Sequence, residues 1–171
     1  VLTAEGKPLK RYPLELEQAA DPAAVYLLTA ALQEVVASGT AEGLSRYLPA
    51  ELHIAGKTGT TDDMRDSWFA GFGADRVGVV WVGRDDYKPM GLTGASGALQ
   101  IWSKMMRDIN VRGLDDTPPE GIDKELTDPN TGLRATYRCA GAIEVPYIAG
   151  HVPEVAPCAG ILGKIGVPVG D

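Results

Sequence analysis

Apolar residues recur at helical spacing in two stretches of the chain. The first follows Asp21-Pro22 and ends before Ser38-Gly39, and the second lies within 95–109. Residues three and four positions apart share one face of a helix, so each stretch predicts a helix with an apolar face. Asp21 is a suitable N-cap, and Gly39 can adopt the left-handed conformation that ends a helix. The apolar positions are Val25, Leu28, Leu32, Val35 and Val36 in the first helix and Leu99, Trp102, Met105, Met106 and Ile109 in the second.

The segment between these helices has the pattern of three strands. One strand is predicted to start at His53 and to run through Lys57-Thr58-Gly59-Thr60-Thr61, and two β-patterned runs follow at 67–72 and 77–83. Successive strands with short links favour an antiparallel meander, and the Gly-containing link 73–76 predicts a hairpin. We expect Trp68, in the second strand, to be buried against the following helix. The predicted fold class is α/β of the α+β type, an antiparallel sheet flanked by helices.

Proline and glycine become frequent from Asp115 onward, in 117–121 and 128–132. These residues interrupt regular elements, so we predict a boundary at this point. One unit is predicted at 1–114 and a Pro/Gly-rich C-terminal extension at 115–171. Within the extension, we expect a small hairpin around Asn130-Thr131-Gly132.

Charge and hydropathy exclude several classes of function. The 171 residues carry a net charge of −7 with a pI near 4.8, and no cluster of Lys and Arg interrupts the acidic balance. A nucleic-acid partner needs a basic surface and is therefore not expected. No apolar run approaches the roughly 18–20 residues that span a bilayer. The chain starts at Val1 without Met, so we expect it to be part of a longer protein.

Both cysteines of the chain, Cys139 and Cys158, lie in the extension. A disulfide between them would hold a segment that has few other means of keeping its shape, and it would indicate an oxidising compartment. Two unrelated reduced thiols are the alternative. His151 alone does not make a zinc site, so no metal or other cofactor is predicted.

The stretch Lys57-Thr58-Gly59-Thr60 carries the candidate chemistry. Gly inside a strand often marks a close approach of another backbone, so this strand is interpreted as a sheet edge that receives an extended peptide. The hydroxyls of Thr58 and Thr60 can donate to a ligand carboxylate, and Lys57 adds positive charge. The Thr60 N–H can face a developing oxyanion, a contact typically worth roughly 3–4 kcal/mol of barrier. The alternative is a solvent-facing strand end in which the tripeptide is a chance match.

Other polar residues beside this stretch have simpler interpretations. Asp62, Asp63 and Asp66 can be read as a carboxylate cluster, but a solvated polar loop whose charge Arg65 partly offsets is favoured. His53 precedes the stretch without a carboxylate partner at a convincing spacing, which argues against a catalytic base.

The combined motifs closely resemble the class A, or bifunctional, penicillin-binding proteins. The resemblance is carried by 55–61, by Asp66-Ser67-Trp68-Phe69-Ala70-Gly71-Phe72 and by Val79-Val80-Trp81-Val82-Gly83. The segment 93–98 with Ile101-Trp102 and the segment 21–41 fit the same family. K-T-G is one of three motifs of its superfamily, beside S-x-x-K and S-D-N. The resemblance covers most of residues 1–139 and is less sharp in the cysteine-containing tail.

This resemblance implies the C-terminal portion of a D,D-transpeptidase domain of the penicillin-binding and serine β-lactamase-like fold. It implies a periplasmic protein, anchored to the inner membrane through a segment outside this chain. Its ligands would be peptidoglycan stem peptides ending in D-Ala-D-Ala and the β-lactam antibiotics that mimic them. Carried over, Lys57, Thr58, Gly59 and Thr60 would form the substrate-facing strand. Lys57 and Thr60 would take part in catalysis, the Thr60 amide as half of the oxyanion hole.

The nucleophile is missing from this chain. None of its five serines is followed by Lys three positions later, and no Ser-x-Asn occurs. We therefore expect the acylated serine in an N-terminal remainder of the same protein and expect the fragment alone to be inactive. A serine β-lactamase or D,D-carboxypeptidase of the same fold is one alternative. A non-catalytic module that binds a peptide along the edge strand is the other.

Overall fold

The structure is a computed structural model that describes residues 2–7, 17–136 and 141–156. Within these ranges two α-helices and five strands are present, together with short 3-10 helices at Glu42–Arg46, Ala50–Leu52 and Asp62–Met64. The fold is α+β with antiparallel sheets, as predicted. In chain order the elements are α1 (Pro22–Ala37), β1 (Ala55–Thr60), β2 (Asp66–Phe72), β3 (Val77–Gly83), α2 (Ala98–Asp108), β4 (Ile122–Thr127) and β5 (Ile143–Ile148).

Helix α1 begins and ends at the predicted signals. The Asp21 side chain accepts a hydrogen bond of 2.9 Å from the Ala24 N–H, and proline occupies the first turn, where its missing N–H costs nothing. At the other end, the Ser38 N–H donates to the Glu34 carbonyl at 3.0 Å. The chain then turns at Gly39, where a Cβ would lie 2.9 Å from the backbone of Val35. A side chain at this position would therefore clash with the last turn of the helix.

Strands β1, β2 and β3 form an antiparallel sheet in that order, which confirms the predicted meander and hairpin. The predicted start of β1 was two residues too early. His53 has a φ of 47° and closes the preceding 3-10 helix, so the strand begins at Ala55. The Gln33 side chain donates to the His53 carbonyl at 3.0 Å, which ties this turn to α1.

The core lies between the sheet and α2. Phe69 of β2 and Trp102 of α2 are both fully buried and meet edge to face, with ring centroids 5.1 Å apart. The Trp102 indole N–H donates to the Gly78 carbonyl at 2.9 Å, so its polar atom is satisfied inside the core. Other members of the same cluster are Ala41, Leu44, Leu48, Ile54, Ala98, Leu99, Met106 and Val111. This packing confirms the predicted core positions Leu99, Trp102 and Met106 of the second helix, but the prediction was wrong for Met105 and Ile109, which are 40% and 46% exposed.

The prediction that Trp68 is buried against the following helix is wrong. Successive side chains of a strand point to opposite faces, and the buried face of β2 carries Ser67 and Phe69. Trp68 therefore points to the other face, where it is 43% exposed beside Trp81, with ring centroids 6.2 Å apart. Tryptophan is usually more buried than serine, but here Ser67 is fully buried and Trp68 is half exposed. Hydrogen bonds of the Ser67 hydroxyl, described below, make this arrangement possible.

Helix α1 is only partly covered by the rest of the described chain. Val35 and Val36, near its C-terminus, pack against the core. Val25 and Leu28, nearer its N-terminus, are 48% and 63% exposed, and no residue of the helix is fully buried. The apolar stripe of α1 thus continues beyond the surface that the described residues supply for it.

The C-terminal extension is held by a pair of strands that the sequence pattern did not reveal. The predicted hairpin around 130–132 is a turn in which the Gly132 N–H donates to the Asp128 carbonyl at 2.8 Å, followed by a single bridge between Thr127 and Arg134. Strand β4 pairs instead with β5, antiparallel, from Ile122 opposite Ile148 to Thr127 opposite Ile143. Cys139 and Cys158 lie outside the described residues, and the unit boundary at 114/115 stays a prediction.

We predict that Phe69→Ala lowers the free energy of unfolding by about 3–5 kcal/mol, because it empties a fully buried site against Trp102. The control is Val77→Ala, at a side chain that is 77% exposed, which should change stability by less than about 0.5 kcal/mol. Equilibrium urea unfolding measures both. Equal losses in the two variants would contradict the inward placement of Phe69.

Candidate functional site

Strand β1 lies at an edge of its sheet. Among the described strands its only hydrogen-bonded neighbour is β2, with Thr60 opposite Ser67. Just beyond the strand, the Thr61 N–H donates to the Asp66 carbonyl at 3.2 Å. Because bonded and non-bonded pairs alternate along an antiparallel ladder, the N–H and C=O groups of Thr58 and Thr60 point away from β2. The free edge thus presents the backbone groups of these two threonines.

The candidate residues of β1 are divided between two faces. Thr58 and Thr60 stand opposite Phe69 and Ser67 and so share the face that α2 covers, whereas Lys57 and Gly59 are on the other face. The Lys57 ammonium turns back to the free edge, where it donates to the Thr58 carbonyl at 2.9 Å. The positive charge therefore lies at the same edge as the free backbone groups. A Cβ at Gly59 would lie 3.1 Å from the Cβ of Trp68, so glycine also fits the crowding between β1 and β2.

Both threonine hydroxyls of β1 have partners from other parts of the chain. The hydroxyl oxygens of Thr58 and Thr40 are 2.6 Å apart, and either can be the donor. The Thr60 hydroxyl oxygen accepts from the Gly94 N–H at 2.9 Å. Neither partner follows from the spacing of the motif. The only signal in the sequence is that both residues fall within stretches that resemble the class A penicillin-binding proteins.

The loop that carries Gly94 is fastened to the sheet by the buried hydroxyl of Ser67. This hydroxyl donates to the Thr93 carbonyl at 2.7 Å and accepts from the Ala98 N–H at 2.8 Å. Both hydrogen-bonding functions of a fully buried serine are thereby satisfied. A Cβ at Gly94 would lie 2.7–2.9 Å from the Trp68 carbonyl, the Gly59 carbonyl and the Thr58 Cβ. Only glycine lets the loop lie this close to β1.

The polar loop after β1 is tied to the β2 and β3 strands by Asp66. The Asp66 carboxylate accepts from the Trp81 indole N–H at 2.9 Å and from the Thr61 hydroxyl at 3.2 Å. Arg65 pairs with Asp63 at 3.0 Å, in agreement with the predicted offset of charge. In the described part of the chain, no group of three His, Cys, Asp or Glu side chains is placed to hold a metal ion.

The segment after β3 brings an aromatic ring to the same end of the sheet. Arg84 donates from Nε and Nη2 to the two carboxylate oxygens of Asp86, each at 2.8 Å. These hydrogen bonds hold the pKa of the Asp86 carboxyl well below its usual range. The neighbouring Tyr87, with a φ of 54°, lies under the Arg65 guanidinium, whose carbon is 5.1 Å from the ring centroid. The ion pair thus helps to fix the position of Tyr87.

A cleft opens where β1 ends. It has a volume of about 560 Å³ and is lined by Thr60, Thr61, Asp62, Asp63, Arg65 and Tyr87. Its walls are polar, and Thr60 belongs both to the cleft and to the free edge. A ligand that pairs with β1 therefore has open space beyond the end of the strand.

Known proteins resemble this chain in sequence and in structure, although no protein-family model matches it. It is 35% identical over 145 residues to penicillin-binding protein 1B of Escherichia coli (strain K12), an alignment that covers 85% of this chain and 17% of that protein. It is 42% identical over 149 residues to penicillin-binding protein 1B of Vibrio cholerae, with coverage of 85% and 19%. The crystal structure of penicillin-binding protein 1A from Haemophilus influenzae is also similar. Its TM-score is 0.65 at 28% identity, covering 77% of this chain and 21% of the other.

These similarities assign the chain to a family. The chain belongs to the class A penicillin-binding proteins, as its motifs predicted, and corresponds to part of their transpeptidase domain. It spans less than a fifth of the length of these two curated relatives, at 17% and 19%. Within the described residues, no helix has the length and apolar character that crossing a membrane requires.

We predict that Gly94→Ala destabilises the protein by about 1–3 kcal/mol, because the new methyl group would overlap backbone atoms of β1 and β2. Gly43→Ala is the matched control. A Cβ at Gly43 meets only a Leu99 methyl group at 3.8 Å, and loss of backbone freedom in the unfolded chain should make this change neutral or slightly stabilising. Thermal unfolding of both variants tests this. A melting temperature unchanged by Gly94→Ala would contradict the close fit of the loop.

Proposed function

We propose that the parent protein of this chain is a serine-type D,D-transpeptidase that cross-links peptidoglycan stem peptides. In this proposal the chain supplies the substrate-binding strand of the enzyme. The observation that carries the proposal is the free edge of β1, along which backbone groups of Thr58 and Thr60 point away from β2. Membership in the class A penicillin-binding proteins supports it independently.

The substrate binds as an additional strand. A stem peptide ending in D-Ala-D-Ala lies extended along β1 and pairs with the outward N–H and C=O groups of Thr58 and Thr60. Such pairing gives affinity for a backbone of the right length and direction, and side-chain contacts add specificity. Thr60 also lines the cleft beyond the strand, so the end of the peptide has room there. β-Lactam antibiotics occupy the same edge as mimics of D-Ala-D-Ala.

Recognition of the terminal carboxylate falls to the two threonine hydroxyls and to Lys57. Each hydroxyl can donate one hydrogen bond, and hydrogen bonds to an ionised acceptor are about twice as strong as neutral ones. The Lys57 ammonium already lies at this edge, against the Thr58 carbonyl. A bound carboxylate would give it a partner of opposite charge. The strand therefore favours peptides with a free C-terminus.

The reaction is an acyl transfer whose nucleophile lies outside this chain. A serine hydroxyl of the N-terminal remainder attacks the carbonyl of the penultimate D-Ala, and its proton passes through a base to the departing D-Ala amine. The Thr60 N–H stabilises the oxyanion, a role typically worth about 3–4 kcal/mol. The amine of a second stem peptide then attacks the serine ester. This step forms the cross-link and returns the serine hydroxyl.

The N-terminal remainder has a second role as a structural partner. Val25 and Leu28 of α1 are 48% and 63% exposed, and Trp68 and Trp81 are 43% and 49% exposed on the face of the sheet away from α2. A large apolar patch exposed on a protein surface marks an interaction site. We propose that the remainder of the protein covers it, and that a segment of that remainder anchors the protein to the inner membrane with this domain in the periplasm.

A fluorescent penicillin tests the assignment on the full-length parent protein. We expect a stable covalent label, mapped by peptide sequencing to a serine outside residues 1–171. Rapid loss of the label by hydrolysis would indicate a β-lactamase or a carboxypeptidase instead. Absence of labelling would leave a non-catalytic peptide-binding module and would overturn the proposal.

We predict that Lys57→Gln slows acylation of the parent protein by about 10- to 150-fold. The estimate corresponds to the loss of one hydrogen bond between charged groups, about 1.5–3 kcal/mol. Lys104→Gln is the matched control, because Lys104 is an exposed lysine of α2 whose ammonium lies 5.8 Å from the Tyr47 ring, and it should leave the rate unchanged. The second-order rate constant of penicillin labelling is the measurement. Equal rates for Lys57→Gln and the wild type would remove Lys57 from the site.

A further inference from the structure

Thr40 contacts the substrate-binding strand from the side of α1 and has no part in the function proposed above. Its hydroxyl oxygen lies 2.6 Å from that of Thr58, a distance typical of a hydrogen bond between two hydroxyls. The two residues are 18 positions apart in the sequence and belong to different elements. The contact therefore exists only in the folded chain.

The backbone around Thr40 is held firmly. On one side, Gly39 packs against Val35 so closely that a Cβ would lie 2.9 Å from its backbone atoms. On the other side, Ala41 is fully buried in the core, and its N–H donates to the Val35 carbonyl at 3.0 Å. Thr40 stands between these two fixed residues. Its hydroxyl is thus presented to β1 by rigid structure.

Which of the two hydroxyls donates in this contact depends on what the Thr58 hydroxyl binds. Each hydroxyl has one hydrogen to donate and two lone pairs to accept with. When Thr58 donates to a carboxylate, its hydrogen is committed, so the hydrogen between the two threonines must come from Thr40. A donor behind Thr58 strengthens the hydrogen bond that Thr58 makes in front, because hydrogen bonds in a chain polarise one another. Thr60 has the equivalent support from the Gly94 N–H.

We propose that Thr40 is a positioning residue that acts through Thr58, orienting the Thr58 hydroxyl hydrogen toward the carboxylate of the stem peptide or β-lactam. The inference rests on the proposed function, since it requires a carboxylate ligand at β1. Thr40 itself does not touch the ligand. Its effect on the reaction passes entirely through the Thr58 hydroxyl, and this is what distinguishes it from a residue that only joins α1 to the sheet.

A double-mutant cycle in the full-length parent protein tests the proposal. The second-order rate constant for acylation by a fluorescent penicillin is measured for the wild type, Thr40→Val, Thr58→Val and the double variant. We expect Thr40→Val to slow acylation about 3- to 10-fold in the wild-type background. In the Thr58→Val background, Thr40→Val should change the rate by less than about 1.5-fold, because the effects of substitutions at two residues in contact are not additive.

Three further variants separate positioning from structural support. Thr40→Ser keeps the hydroxyl and should acylate within about twofold of the wild type. Ser38→Ala removes a hydroxyl two positions away that donates to the Glu34 carboxylate of α1, and it should leave the rate unchanged. Melting temperatures are recorded for every variant. Should Thr40→Val lose folded protein, Thr40→Ala takes its place in the cycle.

The possible results have distinct meanings. An unlabelled wild type would overturn the proposed function itself. A labelled wild type with Thr40→Val equally fast would overturn only the role of Thr40. A Thr40→Val effect of the same size in both backgrounds, or one that Thr40→Ser fails to restore, would show a structural role and would also overturn it.

Discussion

One-sided hydrogen bonding of β1 is the constraint on which the site depends. A strand paired on both sides would have no backbone groups left for a ligand, and an edge strand without other support would be free to shift or fray. Here pairing with β2 fixes the register of β1 from one side. The loop at Gly94 and the turn at Thr40 hold the side chains of Thr60 and Thr58 on the face of the sheet that α2 covers. The edge stays open because the structures that support β1 contact its side chains, and within the described residues no strand pairs with its outward backbone groups.

Small residues permit this close support. Gly94 brings its loop against the carbonyls of two strands, and Gly39 turns the chain so that Thr40 follows directly after α1. The buried hydroxyl of Ser67 holds the start of α2 and the loop before it at once. The polar serine and the glycines are therefore as necessary for this packing as the aromatic core around Phe69 and Trp102.

Much of the fold could be predicted from the sequence because its signals are local. Capping at Asp21, helical spacing up to Val36 and alternation in β2 and β3 each involve residues within a few positions of one another. The orientation of Trp68 could not be predicted, because two adjacent aromatic residues cannot share a face, and the choice depends on bonds from Ser67 to a distant loop. The partners of Thr58 and Thr60 and the pairing of β4 with β5 could not be predicted either, because these contacts join residues that are far apart in the sequence. The motif Lys57-Thr58-Gly59-Thr60 could be recognised in the sequence, but the residues that hold its side chains in the fold could not.

The distance in sequence between Thr60 and Gly94, 34 positions, has a consequence for biosynthesis. The meander from β1 to β3 consists of neighbouring hairpins, which form quickly, whereas contacts across longer loops form later. A nascent chain that has emerged from the ribosome only as far as β3 therefore has the strand without the amide that holds the Thr60 hydroxyl. The Thr60 hydroxyl would gain this partner abruptly, when α2 docks on the sheet and the loop at Gly94 closes against β1.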